Sequence, residues 1–472
     1  MKNLLLAGLF LLAYAGYAQV GNDADVLQMG ESHLAVTTQD GWLNQGLQVQ
    51  TGKLHDAFID QTGLSNVAAQ FQSGNENYAW LSQRGDGNFS VQIQDGHLNE
   101  AIVDQTTMVS WGIPYPLLNR AFQTQKGEGN YAIISQRKEG NEFIQDQEGH
   151  ENYAQADAYN SFNFSSQLQK GRENYSVVKL AGDENVSFVS QHGRDNYSYL
   201  RTVNGDRNLF DVDQHGKGNV ATAEVMAGGD DNYAEIVQHG EGNTAGTRPS
   251  WEGDPGVLQG GSFNQAFIDQ HGTENDAKIE QIGTYNQAYQ LQEGEENMAD
   301  IGQYEDFSFA KQIQEGEGNM AYIEQVGEGS DETEFNVAIQ YQVGTENLAG
   351  AYQMGTTNLA LQGQFGTANM AGILQLGADN FALQGQFGEG NMAGIAQMGI
   401  GNDAKQFQCG EDNLALTLQT GTFNESLQMQ EGSDNVALTI QTGTGHSATS
   451  LQFGTGNVSH IFQSNSGGGS GL

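Results

Sequence analysis

The chain has 472 residues with 18 Lys plus Arg against 58 Asp plus Glu, a formal charge of −40 that repels nucleic acid and anionic membrane surfaces. Its single cysteine, Cys409, excludes an intramolecular disulfide framework. The 64 glycines would suit a disordered chain, but residue identity here stays in phase over hundreds of positions, which disorder does not keep.

In chain order, residues 1–18 begin with Lys2, run through an apolar stretch from Leu4 to Ala15 and close on Gly16, Tyr17 and Ala18. That is the pattern of a secretory signal peptide, so an exported mature chain is expected from about Gln19, and no other segment has the length a bilayer span needs. A leading Gln then recurs every eleven residues, at Gln28, Gln39, Gln50, Gln61, Gln72, Gln83, Gln94 and Gln105. After an insertion at 106–118 it resumes at Gln125, Gln136 and Gln147. The middle third is the least regular part, with Leu180 at an expected Gln and slips near Arg201 and Met226. Further insertions fall at 246–256 and at 328–335, the latter acidic, and from Gln342 to Gln463 the beat is again unbroken. All four prolines, Pro114, Pro116, Pro249 and Pro255, lie in the first two insertions, as a continuously paired sheet requires. The tail, 464–472, is rich in Gly and Ser and reads as a flexible end.

Alternate units differ, so the repeat is 22 residues: one unit carries an aliphatic residue nine positions after its leading Gln (Ile59, Leu81, Val103, Ile373, Ile395), the other a second Gln (Gln48, Gln70, Gln362, Gln384). A fixed period of this size means stacked coils, here with two strands per coil. Strand alternation places Asn77, Ala79, Leu81 and Gln83 on one face, which is the expected interior. Stacking then superimposes Gln on Gln and Asn on Asn at about 4.8 Å. The residues expected to form these ladders include Gln353, Asn358, Gln362, Gln364, Asn369, Gln375, Asn380, Gln384, Gln386, Asn391 and Gln397. The fold class is all-β: one body, 19–463, a β-solenoid of about 19 coils with a thin amyloid-type cross-β core, on the order of 90 Å long.

The phrase QxGxxNxA followed by Gln, as at Gln364, Gly366, Asn369, Ala371 and Gln375 and again from Gln386 to Gln397, closely resembles the curlin repeat of bacterial curli subunits over nearly the whole mature chain. This chain has several times the handful of repeats usual there. The resemblance implies a secreted subunit that polymerises end to end into extracellular amyloid fibres of the biofilm matrix, serving adhesion and cell aggregation. It also implies a nucleator subunit and an outer-membrane secretion pore as partners. The alternatives are a minor nucleating or surface-anchoring curlin, or a monomeric β-solenoid adhesin or ice-binding protein.

No nucleophile, base and orienting residue recur outside the repeat, so no enzyme activity and no cofactor are expected. His192, His215, His239 and His271 each follow a leading Gln in four successive coils and should align. Such a column could take a transition metal, although an exposed position where His is tolerated is the favoured reading, so no metal site is assigned. His33 and His55 replace the inward Asn and should fill its ladder. Stacked acidic arcs such as Glu293, Glu295, Glu315 and Glu317 read as solvated charge; Trp111, Tyr115 and Trp251 read as covers for nearby apolar surface. Cys409 is placed at an arc.

Overall fold

The computed structural model describes residues 21–107, 118–247, 255–327 and 335–465. The expected signal peptide at 1–18, most of the three insertions with Trp111, Tyr115 and Trp251, and the tail beyond Asn465 lie outside them. The described chain is all-β and forms two compact units, Met1–Arg207 and Asn208–Leu472.

In the first unit sixteen described strands, two per turn, make eight turns of a parallel β-solenoid. Alternate strands pair with one another in one sheet, most of them carrying two inward glutamines, as in Gln45–Lys53 and Val67–Asn75, where Gln48 lies on Gln70 and Gln50 on Gln72. We call this the double-Gln sheet. The intervening strands, such as Asp56–Leu64 and Tyr78–Arg84, form the aliphatic sheet, where Ile59 lies on Leu81 and Gln61 on Gln83. In the second unit twenty-three strands make eleven turns of the same kind, because Thr244–Ala245 and Val257–Gly260 share one rung between Val220–Val225 and Asp276–Ile282. The two units together thus hold about 19 turns at the expected 22-residue offset.

The facing follows from the two-residue period. In Tyr78–Arg84, Ala79, Leu81 and Gln83 are buried while Tyr78 and Trp80 face outward, as the sequence pattern requires. Alanine at the first inward position keeps the two sheets close, and one aliphatic residue per turn fills the remaining width.

Corners are shorter than the sequence suggests. The strand Asp403–Glu411 continues past Gln408, so Cys409 sits inside a paired strand, between Phe387 and Glu431 in register, with its thiol exposed. Pairing survives because the glycine two residues after most leading glutamines stacks on the next turn's glycine; Gly85 meets Thr107 and Gly283 meets Glu305 instead. Gly366 has φ +124°, and a Cβ there would lie 2.1 Å from Gly388 O. Both the backbone angle and the close approach therefore require glycine. Two residues on, Ala368 completes the bend at φ 53° and still donates its N–H to Thr345 O at 2.9 Å. Strand and corner amides alike are satisfied by neighbouring turns.

Candidate functional site: amide columns and terminal turns

In the most regular stretch the interior holds five columns of side-chain amides. Gln353, Gln375, Gln397 and Gln419 of the aliphatic sheet are linked in series, each Nε2 donating to the next Oε1 at 2.8–2.9 Å. Gln364, Gln386 and Gln408 do the same in the double-Gln sheet at 2.8–2.9 Å, and Gln362, Gln384 and Gln406 at 2.9–3.0 Å. Asparagine columns stand at the two corners. Asn369 donates both its backbone N–H (3.1 Å) and its Nδ2 (3.0 Å) to Asn347 Oδ1, and Asn391 repeats this on Asn369. Asn358 and Asn380 form the other corner column in the same way. Every expected ladder residue from Gln353 to Gln397 is at most 4% exposed, so the carboxamides are interior groups whose hydrogen bonding decides the fold.

The columns have direction. Glutamine donates toward the C-terminal turn; asparagine donates toward the N-terminal one. Each glutamine also spends its second amide hydrogen across the interior: Gln375 Nε2 reaches Leu359 O at 3.0 Å and Gln364 Nε2 reaches Leu348 O at 2.9 Å. The columns thus stitch the two sheets together as well as the turns. Nothing in the spacing of glutamines signals this second bond.

Where a column stops, its direction predicts which atom is orphaned. Val189 ends the second-Gln column of the first unit, and Gln167 Nε2 is capped by Ser176 Oγ at 2.8 Å instead. In the second unit, Gln428 is followed by Ser450 and donates to Thr439 Oγ1 at 3.0 Å. At the other end, where Gln290 follows Ile268, no donor precedes it, and Gln290 Oε1 is buried without a hydrogen bond. Gln281 follows Gln259 in the aliphatic sheet, and the orphan there is Gln259 Oε1. The break seen at Leu180 is part of a longer one: Ala158 also stands on a glutamine position, stacked on Gln136, and sequence reading passed over it.

Glu305 repairs a second irregularity. Ser308 occupies an Asn-column position and is too short to serve Asn336, so the Glu305 carboxylate accepts Asn336 Nδ2 at 2.7 and 2.9 Å and also the Ser308 hydroxyl. Burial pushes its carboxyl pKa up, and the bonds from Ser308 and Asn336 pull it partly back.

His33 and His55 fill the Asn column as expected. Their rings stack with centroids 5.1 Å apart, and each Nδ1 accepts the backbone N–H of the next turn, from His55 at 3.4 Å and Asn77 at 3.2 Å. His55 Nε2 lies 3.0 Å from Thr51 O, so the neutral ring is the form that fits; burial lowers its pKa. Of the half-buried outward histidines, His215, His239 and His271 of the second unit line up with centroids 4.9 and 4.8 Å apart and rings tilted 40° and 45°, while His192 of the first unit lies 3.3 Å from Ser190 Oγ. The acidic residues stack as expected, Glu293 on Glu315 and Glu295 on Glu317, but like Cys409 they lie in paired strands, Gln287–Glu295 and Phe309–Glu317, and not in arcs.

The terminal turns leave interior side chains open. Val26, inward on Asp23–Glu31, is 49% exposed, and the last strand, Val458–Ser464, has no residue in the buried class. Among the described residues no helix is long and apolar enough to cross a membrane.

The model of the curlin associated repeat matches residues 71–106, 229–272, 256–283, 272–304 and 344–377. Among curated proteins none matches the chain. The matched segments fall on turns of both units and include the Gln, Gly, Asn and Ala positions whose roles are given above. A parallel β-solenoid with a 22-residue offset and amide columns at the repeated positions thus accompany five matches to the curlin associated repeat, and the chain is similar to curlin-repeat proteins over those segments.

Proposed function

We propose that the chain is a structural subunit of an extracellular, curli-type amyloid fibre of the biofilm matrix, exported behind the signal peptide at 1–18 and polymerising end to end. The observation that carries this reading is the direction of the columns. Interior glutamines accept from the turn before and donate to the turn after, so the first turn, with Gln28 and Gln39, offers acceptors and the last, with Gln452 and Gln463, offers donors. The asparagine columns run the opposite way, and Asn457 Oδ1 offers an acceptor for the backbone N–H of a following turn. The two ends are therefore complementary, and a second copy completes by strand addition what each leaves half made. Adhesion and cell aggregation follow from such a fibre at the cell surface, and a nucleator subunit and an outer-membrane secretion pore are its expected partners.

Seeded elongation of the chain lacking residues 1–18, followed by thioflavin fluorescence and electron microscopy, tests the reading. Replacing Gln452 and Gln463 by Ala should slow elongation at least about tenfold, the equivalent of about 1.4 kcal/mol of lost hydrogen bonding at the joint. Replacing Met370 and Met392, which face outward, should leave the rate unchanged. Chains that stay single and never elongate, or equal effects of both pairs, defeat it.

A further inference from the structure

The outer edge of the double-Gln sheet carries a feature that the amide columns do not explain. One position after the leading Gln, the residues along the second unit are His215, His239 and His271, followed by Glu293, Glu315, Val343 and Phe365. Identical imidazoles recur only at the first three of these rungs. In two of them an aspartate sits two residues earlier on the same outward face: Asp213 before His215 and Asp269 before His271. Asp269 Oδ1 lies 2.9 Å from His271 Nε2, yet this oxygen, shielded from solvent, has no hydrogen-bond partner. The nitrogen and the carboxylate oxygen face one another without the alignment of a hydrogen bond, which leaves this oxygen open to a further partner. Zn–N and Zn–O bonds of about 2.0–2.2 Å put tetrahedral ligand atoms about 3.3–3.6 Å apart, so a shared ion needs this pair to open by about 0.5 Å. The His239 ring lies one rung away, its centroid 4.8 Å from that of His271 and tilted 45° to it. Neighbouring rungs are only about 4.8 Å apart, so rotation of the half-buried His239 imidazole is the movement that would bring its nitrogen to the pair.

We propose that His239, Asp269 and His271 hold one divalent transition-metal ion of borderline softness, of the Zn²⁺ class, with water in the fourth position. The donor set is two imidazoles and one carboxylate, which suits Zn²⁺ and disfavours Mg²⁺ and Ca²⁺, whose sites are built from oxygen. The surrounding charge of −40 draws cations to the chain without selecting among them; the imidazoles provide the selection. The outward position keeps the ion clear of the interior columns, so binding belongs to the single chain and needs no assembly.

Isothermal titration of the full chain with ZnCl2 in a large excess of Mg²⁺ tests this. One tight site is expected, weakened at least about tenfold in His239→Asn and in His271→Asn and by about tenfold in Asp269→Asn, while Glu317→Gln, at the end of the strand Phe309–Glu317, binds as the parent does. A second measurement does not depend on any variant folding: Zn²⁺ should protect His239 and His271 of the unaltered chain from acylation by diethyl pyrocarbonate. Unchanged affinity in His271→Asn, displacement of Zn²⁺ by Mg²⁺, or acylation of both rings at the same rate with and without Zn²⁺ would each overturn the assignment.

Discussion

Within the second unit, the turns from Leu209 to Ile282 and those from Val337 to Ser464 share one backbone and fill it differently. In the earlier stretch Val212, Ile236 and Ile268 stand where the later one has Gln340, Gln362, Gln384, Gln406 and Gln428, and Val225 stands on a glutamine position of the aliphatic sheet. An aliphatic residue asks only that its neighbours be apolar and of fitting size. A buried carboxamide asks that the residue one turn away be another carboxamide at the same height. The later stretch therefore fixes its register by three glutamine columns and two asparagine columns, and the earlier one by its asparagine columns, by volume and by the one glutamine column that runs through it, Gln214 to Gln238 to Gln270 to Gln292.

The largest expected effect would erase the difference between the stretches. Gly240→Val and Gly388→Val, at φ +124° and +118° with Cβ positions 1.9 and 2.1 Å from the next glycine's carbonyl oxygen, should each cost more than about 4 kcal/mol. Chemical denaturation should find the two equal, because this demand is the backbone's in both places. Next comes the change that separates them. Gln384→Leu strands both Gln362 Nε2 and Gln406 Oε1 and should cost about 2–4 kcal/mol, against about 1 kcal/mol for Ile268→Val. Equal costs in hydrogen exchange of the neighbouring strands would remove the distinction.

Ile268→Gln sharpens the boundary itself. The new amide can donate to the orphaned Gln290 Oε1 but leaves its own oxygen facing Ile236, so the orphan moves one turn and the net cost should stay near 1 kcal/mol. Glu305, between the two stretches, supplies a pH test. Its pKa is raised by burial, so the folded chain holds this proton more tightly than the unfolded chain, and the contribution is full below about pH 4.5 and lost as pH rises. Glu305→Gln should raise the denaturation midpoint at pH 7 and leave it unchanged well below pH 4.5. The smallest effect is expected at His55 in the first unit, where the sign is opposite. Burial lowers its pKa from the usual 6.5, so the contribution is present above that value and lost as pH falls. The protection factors of amides in the turns from Leu34 to Arg84, taken relative to the intrinsic exchange rate at each pH, should fall on acidification, and His55→Asn should abolish that response.

Much of this was legible in the sequence. The equal spacing of Gln342 through Gln463 contains the turn, the two sheets and the inward face, because strand alternation leaves one way to bury the repeated residues. The substitution of histidine for asparagine at His33 and His55 could be read for the same reason. The cross-sheet bonds from Gln375 to Leu359 O and from Gln364 to Leu348 O could not, since they depend on how closely the two sheets approach. Nor could the repair at Ser308 by Glu305, three residues before it, because a carboxylate in an acidic arc reads as solvated until its neighbours are placed. The strand ends were also hidden, because glycine argues for a turn until it is seen stacked upon glycine.

The insertions change none of the columns. Gln92 bonds Gln123 at 2.9 Å, Gln238 bonds Gln270 at 2.8 Å and Gln314 bonds Gln342 at 2.9 Å, although these pairs are 31, 32 and 28 residues apart and not 22. Chain inserted at a corner costs little beyond loop closure, which grows by only about 0.6 kcal/mol for each doubling of length. Such a scaffold can therefore carry foreign peptides or whole binding modules at chosen corners, with the cargo spaced along it by the count of intervening rungs.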